Sequence, residues 1–483
     1  MRLLSLILAL APILSFSQPI TVGPGGDFPT LEAAASSISA GDTVLVFDGT
    51  YSDGTQFLEE LHGTAVAPIV IKSETLHGAV FEGGSEAIHL IDCSHLILDG
   101  FRIREQTGNG INIDDGGDYT TPAHHIEVRN CLFEDIDAGG NNDFLKLSGL
   151  DFFLVQNCSF INGADGSGVD MVGCHNGLIE GCYFEDAGSS GIQAKGGSQF
   201  VLIRGNVFRD IDQRAINIGG STDLEFFRPP LPDPITEAFE AADIDVFCNV
   251  FTGSWSPIAY VGCVRARVRH NTLYMPENWV LRILQETTEP GFLPCSDNEF
   301  SNNIVYLGAD LTEVNIGPDT DAASFTFSNN LWFNESSGAW SPGLPVADVG
   351  QIIADPQFVD PWMDFALLPT SPAIGAGKVF AEPDTDFNGQ SFLNPPSIGA
   401  IEGGEGPSAV DGRSSEVGFR VFPNPAKDFL YIQGAPGDLE FELINSAGEV
   451  LGVYQGRVIP VGHLPKAVYF LQAGGRVQMV VIE

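Results

Sequence analysis

Val-Arg-Asn-Cys (128–131), Val-Gln-Asn-Cys (155–158), Ile-Glu-Gly-Cys (179–182) and Ile-Arg-Gly-Asn (203–206) are four versions of one short phrase. Ile-Leu-Asp-Gly-Phe (97–101) precedes them. Val-Phe-Cys-Asn (246–249), Val-Arg-His-Asn (268–271) and Phe-Ser-Asn-Asn, at 300–303 and again at 327–330, follow. The phrase recurs about every 25 residues, with β-type alternation and no helical period, which predicts a β-solenoid. Its next-to-last position is Gly100, Asn130, Asn157, Gly181, Gly205, Cys248, His270, Asn302 and Asn329. Gly and Asn tolerate a left-handed backbone, so a sharp bend is expected at that point of each rung.

Two columns follow from this register. The last position of the phrase reads Cys131, Cys158 and Cys182, then Asn206, Asn249, Asn271, Asn303 and Asn330. Stacked ~4.8 Å apart, these predict buried free thiols followed by amides bonded rung to rung. Just beyond the bend, Phe133, Phe160, Phe184, Phe208 and Phe251 predict an internal aromatic ladder. The pairing of Cys93, Cys174, Cys248, Cys263 and Cys295 stays open.

A second strand column precedes most bends. It reads Gly-Ile-Asn-Ile-Asp (110–114), Phe-Leu-Lys-Leu-Ser (144–148), Gly-Val-Asp-Met-Val (168–172) and Gly-Ile-Gln-Ala-Lys (191–195). Ala-Ile-Asn-Ile-Gly (215–219), Pro-Ile-Ala-Tyr-Val (257–261) and Val-Leu-Arg-Ile-Leu (280–284) continue it. Period two points the second and fourth residues inward and the third outward. Asn112, Lys146, Asp170, Gln193, Asn217, Ala259 and Arg282 are therefore expected as one outer row.

These rungs resemble the right-handed parallel β-helix of the pectin-lyase-like superfamily. Gly-Gly-Asp-Phe-Pro-Thr-Leu-Glu-Ala-Ala (25–34) resembles its helical N-cap. Asp-Pro-Gln-Phe-Val-Asp (355–360), Ser-Pro-Ala-Ile-Gly-Ala-Gly (371–377) and Ser-Ile-Gly-Ala-Ile-Glu (397–402) resemble its closing segment. The resemblance implies an all-β chain whose substrate lies along the outer face of the second column. Val-Phe-Pro-Asn-Pro-Ala-Lys-Asp (421–428) and the alternating strands after it resemble the C-terminal sorting domain of type IX secretion cargo. The expected organisation is a signal peptide over 1–17, a β-helix over 18–402, a linker over 403–418 and a small β-sandwich sorting domain over 419–483. That implies a secreted or cell-surface protein that engages the type IX secretion machinery.

Charge narrows the partner. Sixty-three acids against 22 bases give a formal net charge of −41, which excludes nucleic acid as the main partner. No segment of the mature chain is long and apolar enough to predict a membrane span. Nine of the bases fall between 195 and 282, a patch suited to an anionic polysaccharide. Two insertions fall within or across the end of that patch. Ser221–Asp243 carries Phe227 and Arg228, and Met275–Asn298 carries Trp279 and Arg282. With Asn112, Gln193 and Asn217 these are the expected substrate-binding residues. Trp255 is a further stacking platform.

The leading expectation is a lyase that cleaves a uronate-containing glycan by β-elimination. Such a reaction needs a base for the proton α to the carboxylate, and a cation for the enolate. Lys146 or Lys195, lowered in pKa by neighbouring cations, would be the base. Arg214 would bind the carboxylate or assist the leaving oxygen. The resemblance further implies calcium held by Asp143 and Asp170 with an amide from Asn112 or Asn142. The alternatives are a glycoside hydrolase using Asp143 and Asp170, and a non-catalytic glycan-binding surface protein.

Overall fold

A computed structural model describes residues 18–403 except 138, 141, 164, 339 and 363. In the tail it describes 420–422, 426, 429–433, 440–445, 450–455, 458–473 and 476–482. The expected signal peptide, nearly all of the linker and Pro423-Asn424-Pro425 lie outside the described residues.

The body is a parallel β-helix built from three sheets of 14, 12 and 10 strands. Each full rung supplies one strand to each. In one rung these are Ile111–Asp114 in the ten-stranded sheet, Ala123–Arg129 in the fourteen-stranded sheet and Leu132–Glu134 in the twelve-stranded sheet. A short helix, Leu31–Ala34, starts the solenoid. Thr30 caps it by accepting from the Ala33 N–H at 3.2 Å. The parallel ladder leaves every rung's inner face apolar on three sides, and one continuous core fills the tube.

The bend is left-handed in all nine phrases. φ runs from +52° to +78° at Gly100, Asn130, Asn157, Gly181, Gly205, Cys248, His270, Asn302 and Asn329. Cys248 takes this strained region without the tolerance of Gly or Asn, whereas His270 belongs to a residue type enriched there. The bonds of the next column compensate. Asn206, Asn249, Asn271 and Asn303 each donate Nδ2 to the Oδ1 of the following asparagine at 3.0–3.1 Å. The same oxygens accept the backbone N–H of the preceding rung at 2.8–2.9 Å. The ladder ends on the carboxylate of Asp348, 3.0 Å from Asn330 Nδ2. Cys131, Cys158 and Cys182 continue the column as buried free thiols, and the other five cysteines are also free and buried. Phe133, Phe160, Phe184, Phe208 and Phe251 stack with centroids 4.7–4.9 Å apart and planes within 11°.

Residues 371–402 run back along the bend as a strap. Asn329 Nδ2 donates to Ala376 O, Asn302 Nδ2 to Lys378 O, Arg269 Nη1 to Glu382 O and Arg204 Nη2 to Thr385 Oγ1. Ile398, Ala400 and Ile401 bury the outer face of the twelve-stranded sheet with Val207, Val250 and Ile304. The tail has its own core around Leu430, Leu443, Ile459 and Leu471. It is made of a three-stranded and a four-stranded antiparallel sheet.

Replacing Asn271 by Ala would strand the backbone N–H of Asn249 and remove the bonds of Asn271 Nδ2 to Asn303 Oδ1, Val246 O and Arg269 O. At ~1–3 kcal/mol for each buried unpaired group, the cost should be about 2–4 kcal/mol. Cys158→Ala, which strands no amide, should cost about 1 kcal/mol. Urea midpoints of the two variants measure the difference, and equal losses would mean that the ladder amides do not set the stability.

Candidate functional site

The ten-stranded sheet places the expected outer row in register. Asn112 pairs with Lys146, Lys146 with Asp170, Asp170 with Gln193, Gln193 with Asn217, Asn217 with Ala259 and Ala259 with Arg282. The row therefore runs about 29 Å along the tube at ~4.8 Å per rung. The alternate residues, from Ile111 and Ile113 to Leu281 and Ile283, are buried.

The centre of the row is a four-charge cluster. Lys146 Nζ bonds Asp170 Oδ2 and lies 3.1 Å from Asp143 Oδ2, and Lys195 Nζ lies 3.4 Å from the same Asp170 oxygen. Asp170 is 1% exposed and its Oδ1 has no hydrogen-bond partner among the described residues. Burial alone would lower the Lys146 ammonium, but the carboxylates of Asp170 and Asp143 outweigh it and hold it above the ordinary lysine value. Burial, and then repulsion from Asp170, push the Asp143 carboxyl up despite Lys146. A lysine lowered by neighbouring cations is thus not found at Lys146, because its closest charges are two acids.

Calcium does not fit this pair of carboxylates. A calcium ion takes six to eight oxygens. Here both Oδ2 atoms already bond the Lys146 ammonium, and Asp143 Oδ1 accepts the Ser167 N–H at 2.7 Å. Asn112 Nδ2 faces His89 Nε2, and Asn142 Nδ2 donates to Gly139 O. The fixed ammonium stands where a cation would be held. The same burial keeps Asp143 and Asp170 from reaching a glycosidic oxygen as an acid/base pair.

A cavity of about 740 Å³ opens over the cluster. Its walls include Asn112, Lys146, Lys195, Tyr119, Asp115 and Phe226. The first insertion forms part of the roof through Ser221–Asp223 and Phe226. Two buried charges pin it. Glu240 accepts from the Gly196 N–H at 3.0 Å and from Thr222 N and Oγ1 at 3.0 and 2.8 Å, and it also bonds Thr287 of the second insertion. Arg228 donates to Gly173 O and Asp151 Oδ1, both at 2.8 Å. Arg228 is therefore a buried anchor and not a substrate contact. Phe227 is 2% exposed and packs edge-on against Phe292, so it cannot stack on a sugar. Its neighbour Phe226 is 49% exposed and lines the cavity.

Arg214 stands three rungs from Lys146, about 14 Å at the rung spacing. It is tied to Asn217 Oδ1 at 3.1 Å and Glu286 at 3.0 Å. It cannot serve the same scissile bond as Lys146. Beyond it the row ends in an aromatic platform. The Arg282 guanidinium lies 4.4 Å over the Trp279 ring, and Trp279 meets Trp255 edge-on, with Trp255 43% exposed. Arg282 has no ion pair among the described residues. Most of the other bases between 195 and 282 bond acids away from the row, as in Arg265–Asp243, Arg267–Asp245 and Arg269–Glu299.

One row member escaped the sequence reading. His89 lies in register with Asn112, one rung earlier. Its phrase, Ala-Ile-His-Leu-Ile (87–91), has the same alternation as the column and could have extended it. His89 Nε2 bonds Asp114 at 2.6 Å and Nδ1 lies 3.2 Å from Glu86. The hydrogen bonds to Asp114 and Glu86 raise its pKa to about 9, against the desolvation that opposes them. Asp115, also missed, is a cavity carboxyl whose pKa burial pushes up.

Residues 69–227 match the family model described as right handed beta helix region. Among solved structures, the pectate lyase Pel9A aligns at 14% identity with a TM-score of 0.50, over 78% of this chain and 91% of that one. A lacto-N-biosidase of family GH136 from Eubacterium ramulus gives 15% and 0.44, over 68% and 64%. The PL6 family polysaccharide lyase Pedsa3628 from Pseudopedobacter saltans gives 14% and 0.43, over 77% and 97%. No curated protein matches the chain.

The raised pKa of His89 carries a sign. Its contribution to stability is complete below the ordinary value of 6.5 and is lost as pH rises through about 9. An NMR titration of the His89 ring should give a midpoint near 9, and His89→Gln should flatten the stability profile between those values. A midpoint at or below 6.5 would mean that the His89–Asp114–Glu86 network does not form. The fold common to these observations is a right-handed parallel β-helix of the pectin-lyase-like kind.

Proposed function

We propose that the groove of the ten-stranded sheet binds an anionic, uronate-containing polysaccharide and cleaves it by β-elimination. The observation that carries this is the pair of lysines on the floor of the roofed cavity, where Lys146 and Lys195 converge on one buried oxygen of Asp170. A protonated His89 one rung before Asn112 adds a further cation. The name of the pectate lyase Pel9A, which shares the fold, supports the choice of uronans as test substrates.

In this reading the two lysines divide the work. Lys146, held by two carboxylates, stays protonated and draws the uronate carboxylate toward the floor. Lys195 has one carboxylate contact, at 3.4 Å, and is assigned as the base. In its uncharged amine form Lys195 removes the C5 proton, the C4–C5 double bond forms, and the C4–O4 bond breaks as the leaving oxygen takes that proton back from the Lys195 ammonium. Charge that develops on the carboxylate is met by the ammonium already in place. Asn112 and Gln193 line sugar positions on either side of Lys146 and Asp170 in the row, whereas Asn217, 2% exposed, accepts from Arg214 and donates to Gly219 O and so positions Arg214. Trp255, Trp279 and Arg282 form a platform at the far end, a feature that serves simple glycan binding equally well.

Incubating the protein with alginate, pectate and chondroitin, and following absorbance of the unsaturated product, tests the reading. Lys195→Ala should lower kcat by about 10²–10⁴-fold, the usual worth of a positioned base. Arg282→Ala should raise KM and spare kcat, and a chelator should leave the rate unchanged. Absence of product on every uronan sinks the elimination. Binding without product then favours a glycan-binding surface protein, and new reducing ends without absorbance favour a hydrolase.

In the same reading, residues 419–483 are the sorting domain and the protein reaches the cell surface or medium by type IX secretion. Deleting 419–483 in a host with that pathway should retain the protein in the periplasm. Unchanged export of the truncated chain would remove this assignment.

A further inference from the structure

Five of the nine histidines gather at one corner of the solenoid, where the ten-stranded sheet turns into the fourteen-stranded one. His62 and Ser94, then Ser94 and His124, then His124 and Asp151, then Asp151 and His175 are register partners on successive rungs. His95 and His125 sit beside this row with φ of +50° and +54°, which turns both side chains to the outside of the corner. The ring of His95 stacks on that of His125 at 4.4 Å, and His125 stacks on Phe152 at 5.1 Å. His124 Nδ1 and His125 Nδ1 face each other at 2.9 Å.

We infer that His95, His124 and His125 form a binding site for a first-row transition-metal ion of the zinc, copper or nickel type. One ligating nitrogen from each residue lies within 4.8 Å of the others. Two nitrogens bound to one such ion are at most about 4.2 Å apart, given bonds of ~2.0–2.1 Å, so side-chain shifts below ~1 Å complete the set. Two bonds of that length at right angles place their nitrogens about 2.9 Å apart, the separation already present between His124 and His125. An all-imidazole set selects these ions over calcium or magnesium, which take oxygen ligands. Stacking on Phe152 limits the freedom of the His125 ring, which lowers the entropy lost on binding. The segment 115–122 leaves the groove cavity at Asp115–Gly117 and Tyr119 and leads into the strand of His124. The ion would therefore sit one loop away from the groove, on residues that the proposed elimination does not use.

Isothermal titration of the untagged full-length protein with zinc chloride, and separately with nickel sulfate and copper sulfate, tests the site. The expected result is one ion per chain for at least one of the three, with calcium chloride giving no competing signal. His95→Gln and His125→Gln should each weaken binding about tenfold or more, and the double variant should abolish it. Both rings lie at the surface, so circular dichroism melts of the variants should match the parent. The proposal is overturned if no ion binds, the 2.9 Å contact then being only a hydrogen bond between two imidazoles. It is equally overturned if the double variant binds as tightly as the parent.

Discussion

The left-handed bend, locked by the amide ladder next to it, is the constraint on which the rest of the molecule depends. A parallel strand pair fixes spacing but tolerates slippage unless something pins its register. A slip of one residue would turn every outward side chain of the ten-stranded sheet into the core. Asn206, Asn249, Asn271 and Asn303 prevent this because each one's Nδ2 and backbone N–H must both meet the Oδ1 of the following asparagine at once. Where Cys131, Cys158 and Cys182 take the position instead, the stacked rings of Phe133, Phe160 and Phe184 continue the alignment.

With register fixed, electrostatics at the groove become a matter of which residue falls on which rung. Asp170 is buried and carries one unpaired oxygen, an arrangement tolerated only because two ammonium groups reach its other oxygen. Asp143 joins from the turn before its strand, so that two acids and two bases share one small volume. The insertions above depend on the same device. Glu240 and Arg228 are buried charges that satisfy backbone groups of the solenoid, and through them an irregular loop acquires a fixed position over a regular sheet.

How much of this the sequence disclosed follows the period. The nine bends were readable, Cys248 and His270 included, because the flanking apolar positions repeat even where the bend residue does not. The outer row from Asn112 to Arg282 was readable for the same reason. Inside the first insertion no period exists, and two adjacent phenylalanines could not be told apart. Phe227 turned inward to Phe292 and Phe226 outward, a choice made by packing between two insertions distant in sequence. The charge state of Lys146 was equally hidden. Its direction depends on Asp143 and Asp170 outweighing burial, and only the side-chain geometry shows that both acids reach one nitrogen.

The clustering of bases between 195 and 282 pointed to the groove face, yet most of those bases do not lie on it. Counted along the chain, nine bases suggest a broad cationic patch in an acidic protein. In space, Arg228, Arg265, Arg267 and Arg269 bond Asp151, Asp243, Asp245 and Glu299, so their charge is compensated where it stands. Lys195, Arg214 and Arg282 remain on the groove face, and Lys146 and His89 join them from outside the cluster. A net charge of −41 makes such a face effective. In the proposed reading the surrounding acids would repel an anionic chain from most of the surface, and the groove lysines would make that face the one where its approach is least opposed.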